Sequence, residues 1–238
     1  KIYIASKGYQ AKMEESSKKE VDQEKIFAVP FALGEIKENI SITTTSSNKI
    51  SQQQEIINQA FKSHSEGKIQ EAMQYYQDFI NQGFEDHRVF TNYGAILTSL
   101  GQLKEAEKLT LIAIKIQPNF ADAHYNLGNI QQDLGKLKEA ELSQRRAITL
   151  KPDLTDAHLN LANILRNRGK LKEAEISTRK VIELKPNSTE AYCNLTTILI
   201  DLGKLEESIL ISKSTLKLKS INQGDKLRTL LKIAITNL

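Results

Sequence analysis

Asparagine recurs at Asn58, Asn92, Asn126, Asn160 and Asn194, each 34 residues after the last, and Asn129 and Asn163 form a second pair at the same spacing. A carboxamide donates and accepts hydrogen bonds at once, so a row of carboxamides matches the N–H and C=O groups of a peptide backbone. Asn is a mediocre helix former, and its recurrence asks for a reason other than helix propensity. The other reactive side chains lack company. His124 and His158 are also 34 apart, but their column holds Phe90 and Tyr192 in other copies. That is a packing column, and no carboxylate or Cys cluster completes a metal site. Cys193 is the single cysteine, has no His in its own repeat and reads as an inert thiol. The glycines are dispersed and form no phosphate-binding loop. The sequence therefore predicts no enzyme activity, no cofactor and no metal.

The elements that position the asparagines follow from the same period. Gly67, Gly101, Gly135, Gly169 and Gly203 keep it, as do Ala72, Ala106, Ala140 and Ala174, with Ser208 in the fifth place, and Pro118, Pro152 and Pro186. A fixed 34-residue period marks a stacked helical repeat. Five units result, 53–86, 87–120, 121–154, 155–188 and 189–222, each reading as helix, turn, helix. In the third unit Asn119 and Asp122 form a capping-box-like pair ahead of the first helix, as do Asp153 with Asp156 and Asn187 with Glu190. Gly135 ends that helix, because glycine enters the left-handed region without a Cβ penalty. Pro152 ends the second helix. Unit position 8 is small in the first four units (Ala60, Gly94, Gly128, Ala162) and is expected to face position 20. The fifth unit sets Thr196 against Ser208 and is expected to pack less tightly.

Composition narrows the function classes. The chain has 238 residues, with 33 basic against 29 acidic, an excess too small to point to nucleic acid. No stretch approaches the length of a membrane span. One cysteine suits a reducing compartment, and no signal-peptide pattern is present, so the expected location is the cytoplasm. The sequons at Asn39, Asn187 and Asn194 are then chance matches. The chain begins at Lys1, not Met, as a fragment or a processed chain would.

Residues 1–52 show no sustained helical period. SITTTSSNKISQQQ (41–54) has the composition of a linker, which makes a flexible tail the plain expectation. The apolar run around Phe27, Val29, Phe31 and Leu33 offers an alternative, a lid docked on the first repeat. At the other end, residues 223–238 fit a capping helix with Leu227, Leu230, Leu231, Ala234, Ile235 and Leu238 on one face.

Residues 53–222 resemble a tetratricopeptide repeat (TPR) array: the period, the small residue at position 8, Gly at 15, Ala at 20 and Pro at 32 all match. The family's Trp is absent, and position 4 holds Ile56, Phe90, His124, His158 and Tyr192. The resemblance implies an all-α fold, a right-handed α-solenoid of antiparallel helix pairs whose first helices line a concave groove. Positions 2, 6, 9 and 13 lie opposite the packing stripe, so the asparagines face that groove. The TPR arms of O-linked N-acetylglucosamine transferases carry a similar asparagine ladder. The implied function is a protein-interaction scaffold that binds an extended peptide. The resemblance also permits a substrate-selecting arm of a larger bacterial glycosyltransferase or sulfotransferase whose catalytic domain lies outside this chain. Asp122, Asp133, Asp156, Glu190 and Asp201 share the stripe and would favour a basic peptide, although Asp122, Asp156 and Glu190 have the capping reading as well. Chaperone-binding TPR domains clamp a C-terminal carboxylate with Lys and Arg. Here the comparable positions hold Ile57, Thr91, Tyr125, Leu159 and Cys193, then Gln54, Arg88, Asp122, Asp156 and Glu190, which leaves only Arg88.

Overall fold

The computed structural model describes residues 33–216 and 232–236, with side chains from residue 49 onward. The chain divides into Lys1–Gln54 and Glu55–Leu238. Among the described residues the helices are, in order, α1 (Leu33–Ser65), α2 (Ile69–Asn81), α3 (His87–Ser99), α4 (Leu103–Ile116), α5 (Ala121–Asp133), α6 (Leu137–Leu150), α7 (Thr155–Asn167), α8 (Leu171–Leu184), α9 (Thr189–Asp201) and α10 (Leu205–Leu216), and residues 232–236 are helical as well. Among the described residues there is no strand. Within Glu55–Leu238 the helices form a right-handed α-solenoid of antiparallel pairs. The pairs α3–α4, α5–α6, α7–α8 and α9–α10 each pack closely. Each second helix then meets the first helix of the next pair, and the neighbouring first helices α3, α5, α7 and α9 touch in series.

The turn inside each pair is set by glycine. Gly135 has φ 75°, its N–H donates to Gln132 O, and the Lys136 N–H donates to Gln131 O. These two bonds satisfy the last carbonyls of α5 and turn the chain into α6. The second helices stop before the prolines: α4 at Ile116, α6 at Leu150, α8 at Leu184.

Helix starts differ from the sequence reading. Phe120 and Leu154 are the N-cap residues of α5 and α7, and neither start has a side-chain cap. Asn119 Oδ1 instead accepts from Arg146 Nη2 at 2.9 Å, so this side chain ties its loop to α6. At α9 the cap is Ser188, whose hydroxyl accepts from Ala191 N–H. Asp86 caps α3 through the Arg88 N–H at 2.8 Å.

Small residues set the closeness of each pair, but the partner column is position 24 rather than position 20 alone. A Cβ on Gly94 would lie 2.7 Å from Thr110 Oγ1 and 3.4 Å from the Ala106 carbonyl. One on Gly128 would meet Gln144. In the fifth pair Thr196, Ser208 and Ser212 are fully enclosed. The departure there is one of polarity: Thr196 Oγ1 and Ser212 Oγ lie 3.4 Å apart, and Ser208 Oγ has no hydrogen-bond partner. Buried hydroxyls gain less than apolar groups at such a contact.

The GKLKEAE runs, which read by pattern as solvated charge, join repeats to one another. Lys136 reaches back to Glu107 at 2.6 Å, Lys170 to Glu141 at 3.0 Å and Lys204 to Glu175 at 2.8 Å. Arg145 bridges Glu141 and Glu173, and Arg179 bridges Glu175 and Glu207. Arg168 also meets Glu141, whose side chain is nearly enclosed.

Helix α1 runs through residues 41–54, where composition predicts a linker. Propagating a helix costs far less than starting one, so the packed turns at its C-terminal end can extend through Ser, Thr and Gln. Phe27, Val29 and Phe31 lie outside the described residues, as does most of the expected cap. Within 232–236, Ala234 is enclosed while Ile235, assigned by pattern to the packed face, is exposed.

Candidate functional site

The amides stand on the first helices, and stacking brings them into register. Asn160 Nδ2 on α7 donates to Asn129 Oδ1 on α5 at 2.7 Å. Asn194 Nδ2 on α9 donates to Asn163 Oδ1 on α7 at 3.0 Å. Position 6 of one repeat thus pairs with position 9 of the repeat before it. Packing therefore does account for part of the asparagine pattern, contrary to the sequence reading. The pairing lapses where position 9 is not an amide. Asn126 is preceded by Ala95 and has no such partner, and Asn92 is preceded by Phe61 and bonds the Tyr76 hydroxyl instead. Asn58 is exposed on α1, whereas the other six are half-buried.

Gln144, on the second helix α6, is absent from the sequence-derived candidates and holds Asn129 of this row. Its side chain is fully buried. Its Nε2 donates to the Tyr125 carbonyl at 3.3 Å and to Asn129 Oδ1 at 2.7 Å, while its Oε1 has no partner. The sequence does carry a signal for it: a long amide in a column otherwise holding Tyr76, Thr110, Thr178 and Ser212, set opposite a glycine.

Tyr76 anchors the first-repeat end. It is buried, its hydroxyl lies 3.0 Å from His64 Nδ1, and its ring stacks on Tyr93. Burial pushes its pKa up to about 12, with the Asn92 bond opposing.

The acidic stripe survives only in part. Asp122, Asp133, Asp156 and Glu190 are exposed, and the missing side-chain caps leave Asp122 and Asp156 without the bonds that sequence assigned them. Asp201 is neutralised by Arg166 Nε at 2.6 Å. Arg88 is held by Asp86 through two bonds, Nε to Oδ1 at 3.0 Å and Nη2 to Oδ2 at 2.7 Å, and lies 5.5 Å above the Phe61 ring. Burial raises the Asp86 pKa, but the Arg88 side chain and N–H outweigh it and hold it below the usual value.

The histidines have structural roles. His124 Nε2 and His158 Nε2 donate to the carbonyls of Pro118 and Pro152, at 3.0 and 2.9 Å. Among the described residues no group of three His, Cys, Asp or Glu is arranged to hold a metal, and no helix is long and apolar enough to cross a membrane. A cleft of about 570 Å³ opens between α6 and α8 over α7, floored by Ile148, His158, Leu161, Leu165 and Ile176. His158, Leu161 and Leu165 belong to the packing stripe of α7, so the cleft lies away from the amides, while Ile176 at its edge is exposed.

Residues 94–135 match the family profile described as TPR repeat, and residues 121–154 and 155–188 each match the one described as tetratricopeptide repeat. No curated protein matches the chain. Among solved structures the chain is similar to a MamA protein, with TM-score 0.64 and 19% identity over 69% of this chain and 90% of that one. A MamA from Desulfovibrio magneticus RS-1 gives 0.65 and 17%, over 70% and 94%. YrrB, described as a TPR protein with an unusual peptide-binding site, gives 0.64 and 20%, over 76% and 90%. At these identities the likeness is one of fold.

Proposed function

The chain carries tetratricopeptide repeats, and from this we propose that it is a non-enzymatic interaction scaffold whose first-helix face binds an extended peptide. The observation that carries the reading is the row of half-buried amides brought together by α5, α7 and α9. Each amide retains capacity after its structural bond, because a carboxamide has two donors and two lone pairs. Contacts to backbone place little demand on the sequence bound. The exposed Asp122, Asp133, Asp156 and Glu190 on the same stripe add a preference for basic segments. The peptide-binding site described for YrrB supports peptide binding by an array of this fold.

The test uses the array as bait to capture a partner, followed by calorimetric titration of that partner. Replacing Asn126, Asn160 and Asn194 together with Ala should weaken binding at least tenfold, a change of about 1.4 kcal/mol. Unchanged affinity in a variant with an unchanged circular-dichroism spectrum would remove the amides from the binding site.

A further inference from the structure

The hydrogen-bond chain fixes which ends of Asn129 and Asn160 are free. The Tyr125 carbonyl can only accept, so the group facing it at 3.3 Å is the Gln144 NH2. Its second N–H goes to Asn129, which must present oxygen there. Asn160 donates to that same oxygen. Both lone pairs of Asn129 Oδ1 are thereby filled, and no protein group among the described residues takes its NH2. Asn160 has used one N–H and keeps its Oδ1. Asn194 donates to Asn163 Oδ1 one repeat further on, where Thr178 stands in place of Gln144 and donates to the Ala174 carbonyl instead. The Asn129–Asn160 junction thus offers one oriented donor group, from position 9, and one oriented acceptor, from position 6, and Asn163 with Asn194 places the same pair of groups at the next junction.

The spacing of junctions selects the ligand conformation. Neighbouring first helices touch, so successive junctions are separated by about 8–10 Å, the usual distance between packed helix axes. A β-strand repeats its facing every two residues, about 6.7 Å, and turns its third residue away. A polyproline II helix rises about 3.1 Å per residue with three residues per turn, so the same backbone face returns after roughly 9 Å. It also makes no internal hydrogen bonds, which leaves its N–H and C=O groups for the amides.

We propose that the ligand of this face is a peptide segment in the polyproline II conformation, bound through one backbone N–H and one neighbouring C=O every third residue by Asn160 with Asn129 and by Asn194 with Asn163. The proposal rests on the peptide-binding reading above and adds the conformation and register of the ligand. Proline is tolerated at two positions of every three and excluded at the third, where the N–H must donate to Asn Oδ1.

The test follows the side-chain amide resonances of the 15N-labelled protein during titration with three synthetic peptides of equal length. One consists of four copies of Ala-Pro-Pro, one alternates Thr and Gln, and one is all proline. The expected result is that Ala-Pro-Pro shifts the Asn129 and Asn163 NH2 signals with a Kd at least tenfold below the other two. The dependence should be lost in N160A/N194A. It should also be lost in N129D/N163D, which keeps the acceptor oxygen bracing the repeats and removes only the free donors. If the Thr-Gln peptide binds as tightly or more tightly, and still depends on these residues, the face binds peptides but the polyproline II register is wrong. If no peptide shifts these signals in the parent protein, or if Ala-Pro-Pro binds both variants with the parent Kd, the peptide-binding reading fails with it.

Discussion

Gly128 and Gln144 share one space: a Cβ on residue 128 would lie 2.6 Å from Gln144 Nε2 and 2.8 Å from its Cδ. The glycine of α5 is what admits the long amide of α6, and that amide in turn orients Asn129. Gly128→Ala should therefore act on stability and on the site together. Overpacking is expected to cost about 1–3 kcal/mol, read from the shift in denaturation midpoint. Adding Gln144→Thr recreates the Ala162–Thr178 pairing of the next repeat and should restore stability without restoring peptide affinity.

Gly135→Val should destabilise the chain by about 1–3 kcal/mol. No atom lies within 4 Å of the position its Cβ would take, so the cost is conformational, from φ 75°. Gly135→Asn should cost less, because Asn visits the left-handed region more readily. Equal losses in the two variants, measured by urea titration, would mean that crowding and not backbone conformation sets the cost.

The Glu175 junction should make stability fall in acid. Burial raises the Glu175 pKa, but Lys204 and Arg179 outweigh it, and the carboxyl titrates below its ordinary value in the folded chain. A depressed folded pKa contributes stability that is present above the unfolded value and lost as pH falls through the folded one. Denaturant midpoints should thus drop below the usual carboxylate range, and Glu175→Gln should flatten that dependence. The effect should be about 1 kcal/mol or less, since Lys204 and Arg179 are both more than 40% exposed and are screened by salt.

Much of this architecture is legible along the chain, and the missing part has a common cause. Gly135 and Pro152 act within a few residues of themselves, so their spacing alone locates the turns. The helix starts escape such local reasoning because Asn119, a good cap by type, bonds Arg146 of the following helix instead. The helical period places Asn129 and Asn160 on the groove-facing stripe. It does not give their bond, which joins residues 31 apart and depends on how one repeat is set against the next. Lys170 and Glu141, 29 apart, look like solvated charge in sequence for the same reason. Gln144 is hidden by its own column, whose other members pack, so its reach to the opposite face appears only once two helices are laid side by side.

The pairing of position 6 with the preceding position 9 has a consequence for how such a chain can grow. A rung belongs to the seam between two units and to neither unit alone, so a single unit lifted into another array brings only half-rungs. Duplicating residues 155–188 in tandem would create one new seam, with the second copy of Asn160 meeting the first copy of Asn163. The second Asn163 would then meet Asn194 as before. Length is gained in whole rungs, and the reading frame of the ladder survives the insertion.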